Sequence, residues 1–166
     1  VQLGFLPQTV PQIPGYEFYG FYSAAQTVGG DYYDFIALPG GKLAVVLGDV
    51  AGKGVPASLL MAKLSAEARF CLLTEPTPAR AVALLNDQLI RGGIGDRFVT
   101  LAALVLDPET HAVTIVNAGH INPQRFNYAT GELADAITDA ESGIPLGLMP
   151  GFEYGAKVVT LHPGEA

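Results

Sequence analysis

Cysteine, histidine and basic residues are all scarce in this sequence, and long hydrophobic runs are missing. A single cysteine, Cys71, cannot build an internal disulfide framework, which fits a reducing, cytoplasmic setting. Nine Lys and Arg against sixteen Asp and Glu leave a net charge of −7. That balance argues against a nucleic-acid partner, since such binding rests on basic patches. No apolar run approaches the roughly 20 residues of a membrane helix, so no membrane contact is expected of this segment. A signal-peptide pattern is also lacking and the chain does not start with methionine, so it reads as a piece of something longer. The acidic surplus is compatible with divalent-cation sites, although ordinary solubility explains it equally well.

Apolar residues, by contrast, are plentiful. Hydrophobic residues make up 49% of the chain and charged residues 15%, the balance of a globular sequence. A length of 166 residues suits one domain with a sizeable core. Residues 1–14, with three prolines, read as an extended lead-in from an upstream segment, and 15–166 as the domain itself.

Within that domain, YEFYGFYSAA (16–25) is aromatic-rich and partly alternating, which predicts a strand. DYYDFIAL and KLAVVLGDV predict two more, joined as a hairpin through Pro39-Gly40-Gly41. Ala57, Leu60, Leu64, Ala68 and Cys71 then recur at helical spacing, with Leu59 and Met61 widening the stripe, so 55–73 predicts a long helix. Thr77-Pro78 opens a second helix over 78–91, stopped by Gly92-Gly93. FVTLAALVLD, HAVTIVNAG, QRFNYA, ELADAI and FEYGAKVVTL return to strands. Strands, two helices and hairpin-linked strands predict an α+β fold with antiparallel sheet.

Several chemistries are weak on inspection. Gly52-Lys53-Gly54 imitates a dinucleotide-binding turn, but no second strand ending in an acidic residue follows the helix. A Walker loop fails because Lys53 precedes Gly54 where Ser or Thr is needed. Cys71 sits mid-helix on the apolar stripe, so core packing outweighs a nucleophilic role. His111, His120 and His162 lack zinc-site spacing. His120, in NAGHINP, is as well suited to bracing a turn as to doing chemistry.

The carboxylates remain. Asp31 follows a glycine pair and Asp49 ends an apolar strand, at the open end of the same expected hairpin. Hard oxygen ligands suit Mg²⁺ or Mn²⁺. Asp31 and Asp34 differ by an odd number and should face opposite sides of the strand, so Asp31 and Asp49 are the better pair. Glycines 29, 30, 48 and 52 allow close backbone approach. Two solvated turn aspartates stay open as the plain alternative.

VGGDYYDF, GDVAGKGVPASLLMA, LLNDQL, FVTLAALVLD, NAGHINP and GIPLGL occur in this order. Together they resemble the SpoIIE/RsbU-like bacterial branch of the metal-dependent protein phosphatase 2C family, over essentially the whole chain. The resemblance implies a sandwich of two mostly antiparallel β-sheets flanked by α-helices. It also implies hydrolysis of phosphoserine and phosphothreonine by a water activated between two Mn²⁺ or Mg²⁺ ions. Asp49 would bridge both ions, Asp31 would bind one, and Val50 would offer its backbone carbonyl. Asn117, Gly119 and His120 match a family motif and are given a structural role first. The family's Thr-Asp-Gly and Asp-Asp segments, which complete the second metal site, have no counterpart here, so the domain is expected to lack its C-terminal strands. The implied partners are a phosphorylated protein substrate such as an anti-sigma-factor antagonist and an upstream sensor, receiver or coiled-coil segment; a homodimer is compatible with this. The alternative is a catalytically silent regulatory or partner-binding module with the same fold.

Overall fold

The computed structural model describes residues 2–23 and 28–166. A hairpin forms first: β1 (Asp31–Ala37) and β2 (Leu43–Val50) pair antiparallel around Pro39–Gly41. The turn needs glycine at positions 40 and 41, whose φ values are +74° and +72°. Two helices follow, α1 (Gly54–Thr74) and α2 (Pro78–Arg91). Pro76 stops α1 by forcing Glu75 into extended geometry, with ψ at 144°. Thr77 then caps α2, its side chain accepting from the Arg80 N–H, and Pro78 starts the helix where no N–H is missed.

The chain returns as β3 (Val99–Asp107), β4 (Ala112–Ala118), the short pair β5 (Gln124–Asn127) and β6 (Glu132–Asp135), and β7 (Lys157–Thr160). The main sheet has the order β1-β2-β3-β4-β7, antiparallel throughout, and β5-β6 form a separate two-stranded sheet. No helix among the described residues is long and apolar enough to cross a membrane.

Strand alternation divides the large sheet into two faces. Ile36, Ala44, Val46, Val50, Leu101, Ala103, Val105 and Val116 point one way and join Ala57, Met61, Leu64, Ala68 and Cys71 of α1 and Val82, Leu85 and Leu89 of α2 in the main core. Gly48 permits the close seating of α1, since a Cβ there would meet Leu64 Cδ2 at 3.3 Å. Leu43, Leu106, Val113 and Ile115 point the other way, into a smaller cluster with Ile137. Both helices therefore lie on one face. On the other, Ile13, Tyr16 and Phe18 pack on the smaller cluster.

Four expectations are corrected. Residues 16–23 form no strand: the segment holds one isolated bridge, Ile13 to Tyr16, and among the described residues no backbone ladder joins it to β1, which its side chains overlie. Its aromatic side chains pack all the same, Phe18 edge-on to Phe35, and residues 24 and 25 lie outside those described. FEYGAKVVTL is a strand only from Lys157; Phe152 and Tyr154 turn inward instead, 4.8 Å apart, over Gly143. Leu59 is 66% exposed and does not widen the buried stripe, whereas Met61 does. Leu60 is only partly buried, at the edge of that stripe.

The expected lead-in is also packed. Leu6 is buried in the main core, and the 3-10 turn Gln2–Phe5 rests on α1.

Candidate metal centre

The β1-β2 register sets Asp31 directly opposite Asp49, and β3 sets Thr100 opposite Asp49 on its other side. Cross-strand partners share a face, so these three residues lie together on the side away from the helices. The apolar end of that face is at the Pro39–Gly41 turn, and the acidic end is opposite it.

The two carboxyl groups are in contact. Burial raises the Asp49 carboxyl above the usual range, and the charge of Asp31 and a hydrogen bond shared with it raise it further, while His120 opposes the shift. Burial lowers the His120 pKa, with Asp49 and Asp31 pulling the other way. A predominantly neutral imidazole beside two like charges leaves the carboxylates short of positive charge, the condition a hard cation relieves.

Gly30 and Val50 meet closely at this end. The Val50 N–H donates to the Gly30 carbonyl at 3.3 Å, and a Cβ at position 30 would come within 2.7 Å of Val50 O. The glycine is required by that approach, which puts the Val50 carbonyl beside the start of β1. The Val50 side chain itself is buried in the main core.

His120 is held by a polar turn. Asn117, 2% exposed, accepts from the His120 N–H at 3.0 Å and donates to the His120 carbonyl at 2.9 Å and to Asn122 Oδ1 at 3.2 Å. Thr100 Oγ1 meets His120 Nδ1 at 2.8 Å. Gly119 has φ of +65°, and a Cβ there would strike Pro145 at 2.6 Å. The NAGH segment thus braces a turn and brings an imidazole to the acidic pair. A cleft of about 510 Å³ opens beside it, lined by Gly119, His120, Ile121, Asn122, Asp135 and Asp139 among others.

Asp34 lies apart, as the strand parity requires. It faces α1, 4% exposed, accepting from Arg69 Nη2 at 2.6 Å, the Tyr32 hydroxyl at 3.1 Å and the Phe35 N–H at 2.8 Å. Cys71 is fully buried and its thiol is pushed up to about 12 by burial and by Glu67 and Glu75, which leaves it inert. His111 bonds the Tyr16 hydroxyl at 2.6 Å. Among the described residues no group of three or more His, Cys, Asp or Glu could enclose a metal ion. Asp31, Asp49 and the Val50 carbonyl are oxygen donors of the kind a hard cation takes.

Two contributors escape a reading of the sequence. Thr100 is recognisable only once β3 is set beside β2. Asn86, fully buried on α2, donates to the Met149 carbonyl at 2.8 Å and accepts from the Gly147 N–H at 2.9 Å. Its one signal is an amide interrupting the apolar face between Leu85 and Leu89.

Residues 39–166 match the protein family described as Stage II sporulation protein E (SpoIIE). The phosphoserine phosphatase RsbU of Bacillus subtilis is 26% identical over 155 residues, which cover 93% of this chain and 45% of RsbU. The chain spans less than half the length of the curated relatives it matches. Among solved structures, the RsbU and RsbW domains of Rv1364c from Mycobacterium tuberculosis share 26% identity with a TM-score of 0.72, over 86% of this chain and 38% of that one. The PP2C phosphatase domain of SpoIIE from Bacillus subtilis has a TM-score of 0.70 at 18% identity, over 86% and 41% of the respective chains, a likeness of fold. The architecture is therefore PP2C-like, and this chain covers part of it.

Proposed function

Because this chain belongs to the SpoIIE family, we propose that it is the phosphatase domain of a bacterial signalling protein, hydrolysing phosphoserine or phosphothreonine on a protein substrate. The observation that carries the reading is the cross-strand pairing of Asp31 with Asp49 at the acidic end of the sheet. Two contacting carboxylates, one with a raised pKa, form a site whose charge is poorly balanced without a cation. Asp31, Asp49 and the Val50 carbonyl would hold Mn²⁺ or Mg²⁺. Bound there, the cation would lower the pKa of a coordinated water and neutralise charge on the phosphoryl group.

The chain's own residues supply position and access. His120, set by Asn117 and Thr100, flanks the carboxylates with a largely neutral ring. The cleft beside it offers room for the peptide around a phosphorylated residue. RsbU is a phosphoserine phosphatase by name, and by analogy with its branch the substrate here is a phosphorylated anti-sigma-factor antagonist, under control of an upstream sensor or receiver domain. A homodimer would suit such control.

The second reading is a silent module of the same fold. It is favoured by the lack, among the described residues, of a third acidic or imidazole donor in the cluster. Phosphate release from a phosphoserine peptide, with and without Mn²⁺, by this chain and its Asp49→Asn variant separates the two. Metal-dependent release lost in the variant supports the enzyme. Tight Mn²⁺ binding with no release, in the complete domain as well, supports the module.

A further inference from the structure

All nine lysine and arginine side chains of this acidic chain lie among the described residues. Seven of them are ion-paired: Lys42, Lys63, Arg69, Arg80, Arg91, Arg125 and Lys157 each have a carboxylate within 4 Å. Lys53 and Arg97 are the two that have none among the described residues. Both belong to the loops that adjoin the acidic pair.

Their positions follow from the strand register. Val50 pairs with Val99, and one step further the Ala51 N–H donates to the Phe98 carbonyl at 2.9 Å. The next residues outward are Gly52 and Arg97, and the Arg97 Nε lies 3.5 Å from where a Cβ on Gly52 would be. The guanidinium group therefore lies against the loop that leaves Asp49. Lys53 is the next residue of that loop and is exposed. In a chain with sixteen acidic residues, these two cations have no carboxylate partner among the described residues and sit on the two adjoining loops that follow Asp49 and precede Thr100. Such an arrangement suits a ligand that carries its own negative charge and meets a bound cation at the same time. Arginine's planar fork matches tetrahedral oxyanions well, and lysine adds a point charge.

We infer that Arg97 and Lys53 recognise the phosphoryl dianion of a phosphoserine or phosphothreonine side chain, Arg97 through its guanidinium and Lys53 as a point charge. The inference rests on the phosphatase reading of the same site, and it makes these two residues the determinants that tell a phosphorylated peptide from its plain twin. They are positioning residues for the anion and hold no metal.

The test is calorimetric. A phosphoserine hexapeptide and its unphosphorylated twin are titrated into the 166-residue chain in the presence of Mn²⁺, and into the Arg97→Ala, Arg97→Lys and Lys53→Ala variants. Mn²⁺ binding and thermal melting are measured on each in parallel. Arg97→Ala should weaken phosphopeptide binding by about tenfold or more, the loss of a charge-assisted hydrogen bond. Arg97→Lys should recover part of it and Lys53→Ala should cost less. Mn²⁺ affinity and melting should be unchanged, and the plain peptide should bind no variant differently. Equal phosphopeptide binding by Arg97→Ala and wild type would overturn the inference, as would no phosphopeptide binding by wild type. So would a parallel loss of Mn²⁺ affinity, which would mean that Arg97 only shapes the metal loop. Phosphopeptide binding that depends on Arg97, with no phosphate release by this chain or by the complete domain, would leave the anion site standing and sink the phosphatase reading alone.

Discussion

Asp31 and Asp49 are direct cross-strand partners in an antiparallel hairpin, their carboxyl groups in contact. Like charges placed opposite each other oppose folding. The pair is thus a local electrostatic cost to the fold.

The Asp49 pKa is raised in the fold, so its contribution to stability is present below the unfolded carboxylate value and is lost as pH rises through the folded value. Without metal, Asp49→Asn should melt at the same temperature as wild type or higher near neutral pH, with the gap closing in acid. Mn²⁺ should raise the melting temperature of wild type and leave the variant unmoved. In the complete domain the same substitution should abolish Mn²⁺-dependent phosphate release, because an amide cannot replace a carboxylate between dications. A metal-free variant less stable than wild type at pH 7 would contradict the electrostatic account.

Leu64 of α1 is fully buried and lies against Gly48 of β2. Leu64→Ala should cost about 2–5 kcal/mol in a denaturant titration, through lost burial and the cavity left behind. Leu59→Ala on the same helix, at an exposed position, should change stability by no more than about 0.5 kcal/mol.

Asn86 ties α2 to the loop at Gly147 and Met149. Asn86→Ala removes two part-buried hydrogen bonds, to the Gly147 N–H and the Met149 carbonyl, and should cost about 1–3 kcal/mol. Amide exchange should accelerate at Gly147 before it does in the strands. Uniform exchange across the chain would mean that the loop is held by something else.

Gly119→Ala combines a left-handed backbone, costly for any residue with a Cβ, with a collision against Pro145. We expect at least about 2 kcal/mol of destabilisation. The His120 side-chain resonance should shift in the variant, because its turn is set by the same segment.

Acid should weaken the C-terminal contacts. Glu165 accepts from Arg125 at 2.5 and 2.6 Å and from the His162 N–H at 2.8 Å. The hydrogen bond from Arg125 is the largest cause holding its carboxyl below the usual range. The stability it gives is therefore present above the unfolded glutamate pKa and is lost as pH falls through the folded value. Glu165→Gln should be less stable than wild type at pH 7, and the two should converge as the solution becomes acidic.

The parts legible in the sequence share a local cause. The hairpin at 31–50 carries its own turn glycines and alternation, and α2 carries its own cap, proline and stop. The pairing of Asp31 with Asp49 follows from that hairpin alone. The parts not legible depend on distant neighbours. Tyr16 to Tyr22 have strand composition, yet a strand exists only where its backbone pairs with another strand. Leu59 looks like core because α1 is apolar on several sides, and only the sheet decides which side is sealed. Thr100, Asn86 and Arg97 matter through contacts with residues far along the chain, which spacing cannot foresee.

Leu6 fills a place in the main core, and the pocket beside it is lined by Asp34, Ser65, Ala66 and Arg69. The first described residues are thus a cover over Asp34, the buried aspartate of the helix-facing side among the described residues, although they look like a tether. A chain begun at Gly15 would uncover more of Asp34, whose partner Arg69 is already half exposed, and so weaken the ion pair between them. Leu6 and the turn Gln2–Phe5 thus pack with the core, several residues before the sequence begins to look like a domain.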